Sequence, residues 1–183
     1  MTKLFSYVVD HDLGLAPHPS GGCCSLVECK HGYGRYKNIV ELAEKNDWVV
    51  GTGGVSGESA GKGKLIYAMR VDEKLTLGKY CDDNRFKERI DAKRHSPRKN
   101  RFALVSRHFF YFGDNAIRIP ARFKNFPLEK KGQGFRYKNF TEDFISDFTN
   151  WLETTFKLGL NGWPCDPLSA LDTPKCAYKV RRK

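Results

Sequence analysis

The sequence predicts an α+β fold: a bent or barrel-like mixed sheet with a few flanking helices. Short segments rich in aromatic and β-branched residues recur along the chain, one long segment has helical periodicity, and the connections are short. With 183 residues, of which 40% are hydrophobic, the chain is long enough to bury a core. We therefore expect one domain over residues 1–183.

Strands and one helix are predicted in the first half of the chain. Strands are predicted in KLFSYVVD (3–10), which is rich in aromatic and β-branched residues, and in CCSLVECK (23–30), DWVVGTGG (47–54) and KLIYAMRVDE (64–73). Prolines and glycines make HDLGLAPHPSGG (11–22) a loop. In YGRYKNIVELAEKND (33–47) the apolar residues fall on one helical face, which predicts a helix.

The second half contains the clearest helix. TEDFISDFTNWLETTFKLG (141–159) has an apolar stripe and acidic residues in its first turn. TLGKYCDDNRF (76–86) predicts a short helix capped by Thr76. RFALVSRHFFYFG (101–113) is predicted as a strand and DNAIRIPARF (114–123) as a turn with a short extended piece. We expect a basic loop at 85–101 and a flexible tail at 172–183.

The charge balance indicates a polyanionic partner. The chain has 32 Lys and Arg against 21 Asp and Glu, a net charge of +11. A globular domain with this surplus usually meets DNA or RNA, and the alternative is a merely solvated basic surface.

The sequence predicts a soluble cytoplasmic protein that does not contact membranes. The first residues, MTKLFSYVVD, have no secretory pattern, and no apolar run approaches the roughly 18 residues of a membrane span. The six cysteines are then expected as thiols. Cys23, Cys24, Cys29 and His31 could ligate a metal, but their spacing matches no zinc motif, so we predict neither metal nor cofactor.

The glycine-rich segment WVVGTGG (48–54) does not predict a phosphate-binding loop. A P-loop needs G-x-x-x-x-G-K-[ST] before a helix, whereas GESAGK (57–62) is one residue short and precedes a strand. The glycine-rich loop between the strands DWVVGTGG and KLIYAMRVDE is therefore predicted to be a flexible strand connection at the mouth of a barrel or sheet.

Four segments carry a family resemblance: SYVVDHDLGLAPHP, NDWVVGTGG, GKLIYAMRVDEKLTLGKYCDDNRF and LVSRHFFYFG. Together they resemble the nucleotide modification associated domain 2 family, from about Leu4 to about Trp163. The resemblance implies a role in systems that make or handle modified bases in bacteria and phages. NDWVVGTGG and GKLIYAMRV are also similar in layout to the EVE, YTH and ASCH modules of the PUA-like superfamily, which implies a pocket for a modified, flipped base.

A flipped base needs aromatic rings for stacking and polar groups for its edge. The candidate rings are Tyr7, Trp48, Tyr67, Phe109 and Tyr111. Trp48 is favoured because it begins the strand that leads into the glycine loop. The candidate edge-reading residues are His11, Asp12, Thr52, Ser106 and His108, and Gly53 is also expected in the pocket. The alternatives are that the rings fill the core and that Asp12 only caps a turn.

Catalytic chemistry has weaker sequence support. Ser106, His108 and Asp12 could form a Ser/His/Asp set, but no G-x-S-x-G motif accompanies them. Asp82 and Asp83 are adjacent carboxylates with nothing else to indicate a nuclease. We therefore predict no catalytic residue.

Basic residues near the predicted pocket are candidates for phosphate contacts. They are Lys30, Arg35, Lys62, Lys64 and, within KKGQGFRYK (130–138), Arg136. The sequence thus predicts a nucleic-acid-binding domain that recognises a modified or flipped base in a DNA or RNA modification or phage-defence context, with protein partners possible. The alternative is an enzyme acting on a base or nucleotide in a DNA hypermodification pathway.

Overall fold

The structure, a computed structural model, describes residues 1–27, 37–56, 59–86, 101–123, 128–129 and 134–164. Its strands are β1 Leu4–Val9, β2 His18–Ser20, β3 Cys23–Val27, β4 Trp48–Gly53, β5 Lys64–Arg70, β6 Glu73–Thr76, β7 Phe102–Ser106, β8 His108–Tyr111, β9 Ile117–Arg118, β10 Phe135–Arg136 and β11 Gly159–Leu160. Its α-helices are α1 Ile39–Leu42, α2 Leu77–Asp82 and α3 Glu142–Thr155.

The strands form a large sheet and a small sheet. The large sheet has the order β10-β1-β4-β5-β8-β11, with β9 also paired to β5. Its central strands β1 and β4 are parallel, with a register that runs from Leu4–Trp48 to Val9–Gly53. The small sheet has the order β2-β3-β7-β6 and is antiparallel throughout. The parallel pair needs a crossover, and the chain makes it through β2, β3 and α1.

Three apolar clusters stack the elements in layers. The central cluster joins β1, β4, β5 and β8 of the large sheet to Cys24 and Leu26 of β3 and Leu104 of β7. A second cluster packs the other face of the large sheet against α3, and a third packs the small sheet against α2. The order of layers is therefore α3, large sheet, small sheet, α2.

Helix α3 forms as its sequence predicts. The Thr141 hydroxyl accepts a hydrogen bond of 3.2 Å from the Phe144 amide, and Glu142 and Asp143 lie in the first turn. Both features satisfy or complement the unpaired amides of a helix N-terminus. The residues that α3 buries against the large sheet are Phe144, Ile145, Phe148 and Leu152. No helix in the described part of the chain is long and apolar enough to cross a membrane.

The basic segment 85–101 begins with an anchored arginine. Arg85 donates to Glu73 at 2.6 and 2.9 Å and to Asp83 at 2.8 Å, and its guanidinium lies 4.9 Å from the Phe86 ring centroid. The hydrogen bond from Arg85 lowers the pKa of Glu73. Arg85 thus joins α2 to β6 and its charge is compensated, whereas residues 87–100 lie outside the described ranges.

The α+β class is confirmed, but the barrel-like expectation is not. The described strands form two sheets and no closed barrel, so the PUA-like architecture receives no support. The segment RFALVSRHFFYFG was predicted as a strand. In the structure it divides at Arg107 into β7 of the small sheet and β8 of the large sheet. Two smaller differences from the prediction concern short elements. Strand β2 lies in the predicted loop, and α1 covers four residues of the predicted helix.

The cysteine prediction is partly within the described residues. Cys23 and Cys24 are buried in β3, where they pack in two different apolar clusters. Cys29 and His31, the other members of the possible metal set, lie outside the described ranges, as does the tail at 172–183. Among the described residues no three His, Cys, Asp or Glu side chains gather as metal ligands would.

Candidate functional site

The parallel pair β1–β4 ends at one edge of the large sheet, where Val9 pairs with Gly53. The carboxyl ends of parallel strands are the usual place for ligand-binding groups in sheets flanked by other layers. The segment that follows β1 carries His11 and Asp12, and the segment that follows β4 is the glycine loop. We call this region the loop-end site.

A row of tyrosines runs across the large sheet beneath the loop-end site. Tyr7 pairs with Gly51, Gly51 with Tyr67, and Tyr67 with Tyr111. Paired residues project to the same face, so the three rings lie together between the sheets. A Cβ on Gly51 would lie 2.3 Å from Tyr67 Cε1, which means that this ring occupies the space above the glycine. The Tyr67 hydroxyl bonds to the Tyr7 hydroxyl at 2.9 Å.

The tyrosine row is linked to the chain after β1 through Asp12. The Tyr111 hydroxyl donates a hydrogen bond of 2.5 Å to Asp12 Oδ1. Asp12 is 2% exposed and the three tyrosines are buried, whereas the neighbouring His11 is exposed. A buried carboxylate needs such donors, because burial without them costs several kcal/mol. Asp12 thus does more than cap a local turn, since its partner is 99 residues away.

The glycine loop connects two strands, as the sequence predicted, but its glycines are closely packed, which the prediction of a flexible connection did not include. A Cβ on Gly53 would lie 2.1 Å from the Gly61 carbonyl oxygen, and one on Gly54 would lie 2.4 Å from Asp10 Oδ1. The Gly54 amide donates to Ser59 Oγ at 2.6 Å. These glycines let two backbone segments touch, and the loop leads into strand β5.

Three cations lie at the same end of the large sheet. Lys64 of β5 and Arg118 of β9 are directly paired across the two antiparallel strands, and Lys62 is exposed two residues earlier. Within the described ranges none of the three forms an ion pair. Glu129 lies close to this strand pair, with Oε1 3.4 Å from the position of a Cβ on Gly63.

The remaining predicted phosphate contacts are elsewhere. Arg136 is on β10 and pairs with Ser6, on the opposite side of β1 from β4. Lys30 and Arg35 lie outside the described residues. Arg118 was missed because IRIP has only two residues in a strand and no neighbouring basic residue; its significance comes from its pairing with Lys64.

Trp48 and His108 are on the other face of the large sheet, under α3. Trp48 starts β4 and Gly53 ends it, so about 17 Å of strand separates the indole from the glycine loop. The indole packs edge-to-face on His108, with 5.6 Å between ring centroids, and His108 Nε2 lies 2.8 Å from Glu153 Oε1 of α3. The predicted pocket residues therefore fall into two groups, and Trp48 is not in the group at the loop.

The side-chain hydroxyls of Thr52 and Ser106 form hydrogen bonds with backbone groups. The Thr52 hydroxyl donates to the Tyr7 carbonyl at 3.3 Å. The Ser106 hydroxyl donates to the His108 carbonyl at 2.9 Å and accepts from the His108 amide at 3.0 Å. The hydrogen bonds of the described residues thus do not link Ser106, the His108 ring and Asp12 as a catalytic triad would require.

An open pocket of about 460 Å³ lies between α3 and the large sheet, at the end remote from the glycine loop. Trp48 and Arg70 line it from the sheet, and Glu142, Ser146 and Thr149 line it from α3. Arg70 was not a sequence candidate, because a single arginine at the end of an apolar strand resembles an ordinary solvated residue.

Two packed sheets with polar groups at the carboxyl ends of a parallel strand pair define an α+β protein with a candidate strand-end site. The family model for nucleotide modification associated domain 2 matches residues 1–102 and 93–171. The chain belongs to this family, as the resemblance in its sequence predicted. No curated protein matches the chain, and no solved structure does.

Proposed function

We propose that this protein binds DNA or RNA and recognises a modified or flipped base, within a system of nucleic acid modification or phage defence. One observation supports this most: the loop-end site brings three cations and a carboxylate–phenol pair to the same end of the large sheet. The family name supports a nucleotide-modification context. Protein partners in such a system are part of the proposal.

The cation pair favours a phosphate ligand. Like charges directly opposite each other on antiparallel strands destabilise a sheet. Lys64 and Arg118 are such a pair, and Lys62 adds a third positive charge nearby. A phosphodiester chain would remove this repulsion and would release its own counterions on binding.

The carboxylate–phenol pair suits the edge of a base. Asp12 can accept from an exocyclic amino group, and the Tyr111 hydroxyl can donate or accept. Tyr67, in the same row, is three residues from Lys64 along β5, a distance of about 10 Å. Asp12 and the tyrosines are buried. In this proposal a base therefore reaches them only when the segments that follow β1 and β4 move apart.

The test is salt-dependent binding to short single-stranded oligodeoxynucleotides. A variant with Lys64→Gln and Arg118→Gln is compared with a control, Lys45→Gln and Lys157→Gln, which removes the same charge from exposed residues elsewhere. Each phosphate contact contributes about 0.7 to the slope of log K against log salt on single strands. We expect the first variant to lower the slope by about 1.4 and the control to leave it nearly unchanged.

Base recognition is tested separately by comparing oligonucleotides that differ in one modified or unmodified base. Tyr111→Phe should reduce the preference among bases while the salt slope stays the same, because phosphate contacts do not carry sequence information.

Equal salt slopes for the two charge variants would show that the loop-end site makes no phosphate contacts. A protein that retains no oligonucleotide at low salt would contradict the proposed function as a whole.

A second candidate function is catalysis on a base or nucleotide. The 2.5 Å contact between the Tyr111 hydroxyl and the buried Asp12 carboxylate favours it, since such enclosed titratable pairs are common in active sites. An enzyme would lose turnover in Asp12→Asn and keep oligonucleotide binding. A base-recognising protein would show no product with the wild-type chain.

A further inference from the structure

The pocket under α3 is separate from the loop-end site. It is lined by Trp48 and Arg70, which are at the far ends of β4 and β5 from the glycine loop. Its volume of about 460 Å³ is within the roughly 300–1,000 Å³ typical of small-molecule sites. The pocket therefore has room for a ligand of its own.

Arg70 provides the hydrogen-bond donors of this pocket. The side chain is 39% exposed, but its Nε is enclosed and has no hydrogen-bond partner among the described residues. Its Nη2 is 3.7 Å from Asp72 Oδ1, beyond the range of a direct hydrogen bond. A buried N–H group normally has an acceptor, and a guanidinium presents its donors in a planar fork. Because Nε has almost no accessible surface, a ligand in the pocket meets the two Nη groups, whose parallel donors suit a planar ligand with two acceptors on one edge.

The aromatic side of the pocket is held in place. Trp48, Arg70 and His108 occupy consecutive positions across β4, β5 and β8. The Trp48 indole packs on the His108 ring, which is fixed in turn by Glu153 of α3. The indole is 4% exposed, so only a small part of it can contact a ligand in the pocket.

The helical side of the pocket supplies acceptors. Glu142 is in the first turn of α3, and Ser146 and Thr149 follow at four and seven residues, which places all three on one helical face. The pocket therefore offers donors from the sheet and a carboxylate with two hydroxyls from the helix.

We propose that this pocket binds a guanine base. Guanine has two acceptors, O6 and N7, which arginine commonly contacts in a bidentate manner. It also has N–H groups, at N1 and N2, that can donate hydrogen bonds to the Glu142 carboxylate. The chemistry of recognition is the same for the base of a free nucleoside or nucleotide and for a base in a nucleic acid strand.

The experiment titrates the full chain with guanosine, adenosine, cytidine and thymidine by calorimetry. We expect guanosine to bind in preference to the other three. Arg70→Gln should weaken guanosine binding roughly 5- to 150-fold, which corresponds to a lost bidentate contact with the base. The matched control Arg107→Gln removes an exposed charge outside the pocket and should leave affinity unchanged.

Two further variants and one control test the helical side without disturbing the core. Glu142→Gln should weaken guanosine binding, and Asp143→Asn, the same change in the same turn but outside the pocket, should not. Ser146→Leu fills the pocket from an exposed helix position and should abolish binding while the melting temperature is maintained.

Oligonucleotides distinguish the two sources of the base. Guanosine binding as tight as that of a guanine-containing oligonucleotide indicates a free ligand, and Arg70-dependent binding of the oligonucleotide alone indicates a strand. Absence of guanine-dependent binding in both assays, or equal binding by wild type and Arg70→Gln, would overturn the proposal. The Lys64→Gln, Arg118→Gln variant should bind guanosine normally, so failure of the loop-end site does not affect this test.

Discussion

Tyr111 and Asp12 are 99 residues apart in the chain, and the phenol of one donates a 2.5 Å hydrogen bond to the carboxylate of the other. The contact ties β8 to the segment that follows β1, on the side where the two sheets meet. It therefore joins the tyrosine row to the carboxyl ends of the parallel strands, whichever ligand the site receives.

Tyr111→Phe is expected to lower the free energy of unfolding by about 1–3 kcal/mol, because the buried Asp12 loses a donor. Chemical denaturation measures the effect. Tyr137→Phe is the matched control, since the Tyr137 ring stacks on Phe5 at 5.2 Å and its hydroxyl makes no hydrogen bond with the described residues. Equal stabilities of the two variants would show that the Tyr111–Asp12 contact contributes little.

Several elements could be predicted from local sequence alone. Strands β1, β4 and β5 are indicated by their aromatic and β-branched residues. The start of α2 is indicated by Thr76, which accepts from an amide three residues ahead, and α3 by its apolar stripe and acidic first turn. The pairing of strands was not accessible in this way, because the register of β1 with β4 depends on contacts between distant residues.

The site illustrates the same limit. Trp48 is near the glycine loop in sequence, but an extended strand carries its two ends about 17 Å apart. Tyr7, Tyr67 and Tyr111 are distant in sequence, but the sheet register brings them into one row. Adjacency in an extended chain therefore predicted the wrong neighbour for Trp48, and only topology shows which candidates lie together.

Gly51→Ala should destabilise the protein by about 1–3 kcal/mol, the usual cost of overpacking a core. The new methyl would lie 2.3 Å from Tyr67 Cε1 and 2.8 Å from Val9 Cγ2, inside van der Waals contact. Thermal denaturation measures the loss. Gly78→Ala is the control: it is in α2 with open space around its Cβ position, so it should stabilise by about 0.5–1 kcal/mol. A harmless Gly51→Ala would mean that the Tyr67 ring has another place to lie.

The ion pairs of Arg85 predict a dependence of stability on pH. Arg85 lowers the pKa of Glu73 in the folded state, so the pair stabilises the protein above the unfolded pKa of glutamate. This contribution is lost as the pH falls through the lower folded pKa, that is, below about 4.3. Glu73→Gln should therefore cost less than about 1 kcal/mol at pH 7, because the pair is partly exposed, and nearly nothing at low pH.

The measurement is urea denaturation of wild type and Glu73→Gln across this pH range, at low and high salt. Added salt should reduce the difference at pH 7, because it screens exposed charges. Asp147→Asn, an exposed change in α3, serves as the control and should show no comparable pH dependence. A difference between wild type and Glu73→Gln that persists below the pKa would contradict the assignment to the Arg85 pair.

Ser106 gives a prediction at the place where the chain passes from one sheet to the other. Its buried hydroxyl bonds to both the carbonyl and the amide of His108 and so fixes the turn at Arg107 between β7 and β8. Ser106→Ala should lower the free energy of unfolding by about 1–3 kcal/mol, because two backbone groups lose their partner. Thr52→Val, which removes one longer hydrogen bond of 3.3 Å, should lower the free energy of unfolding less.

Denaturation combined with oligonucleotide binding separates stability from function. If Ser106 acts only through the turn, the folded fraction of Ser106→Ala binds as wild type does. A loss of base preference at full stability would instead assign Ser106 a direct role in base recognition.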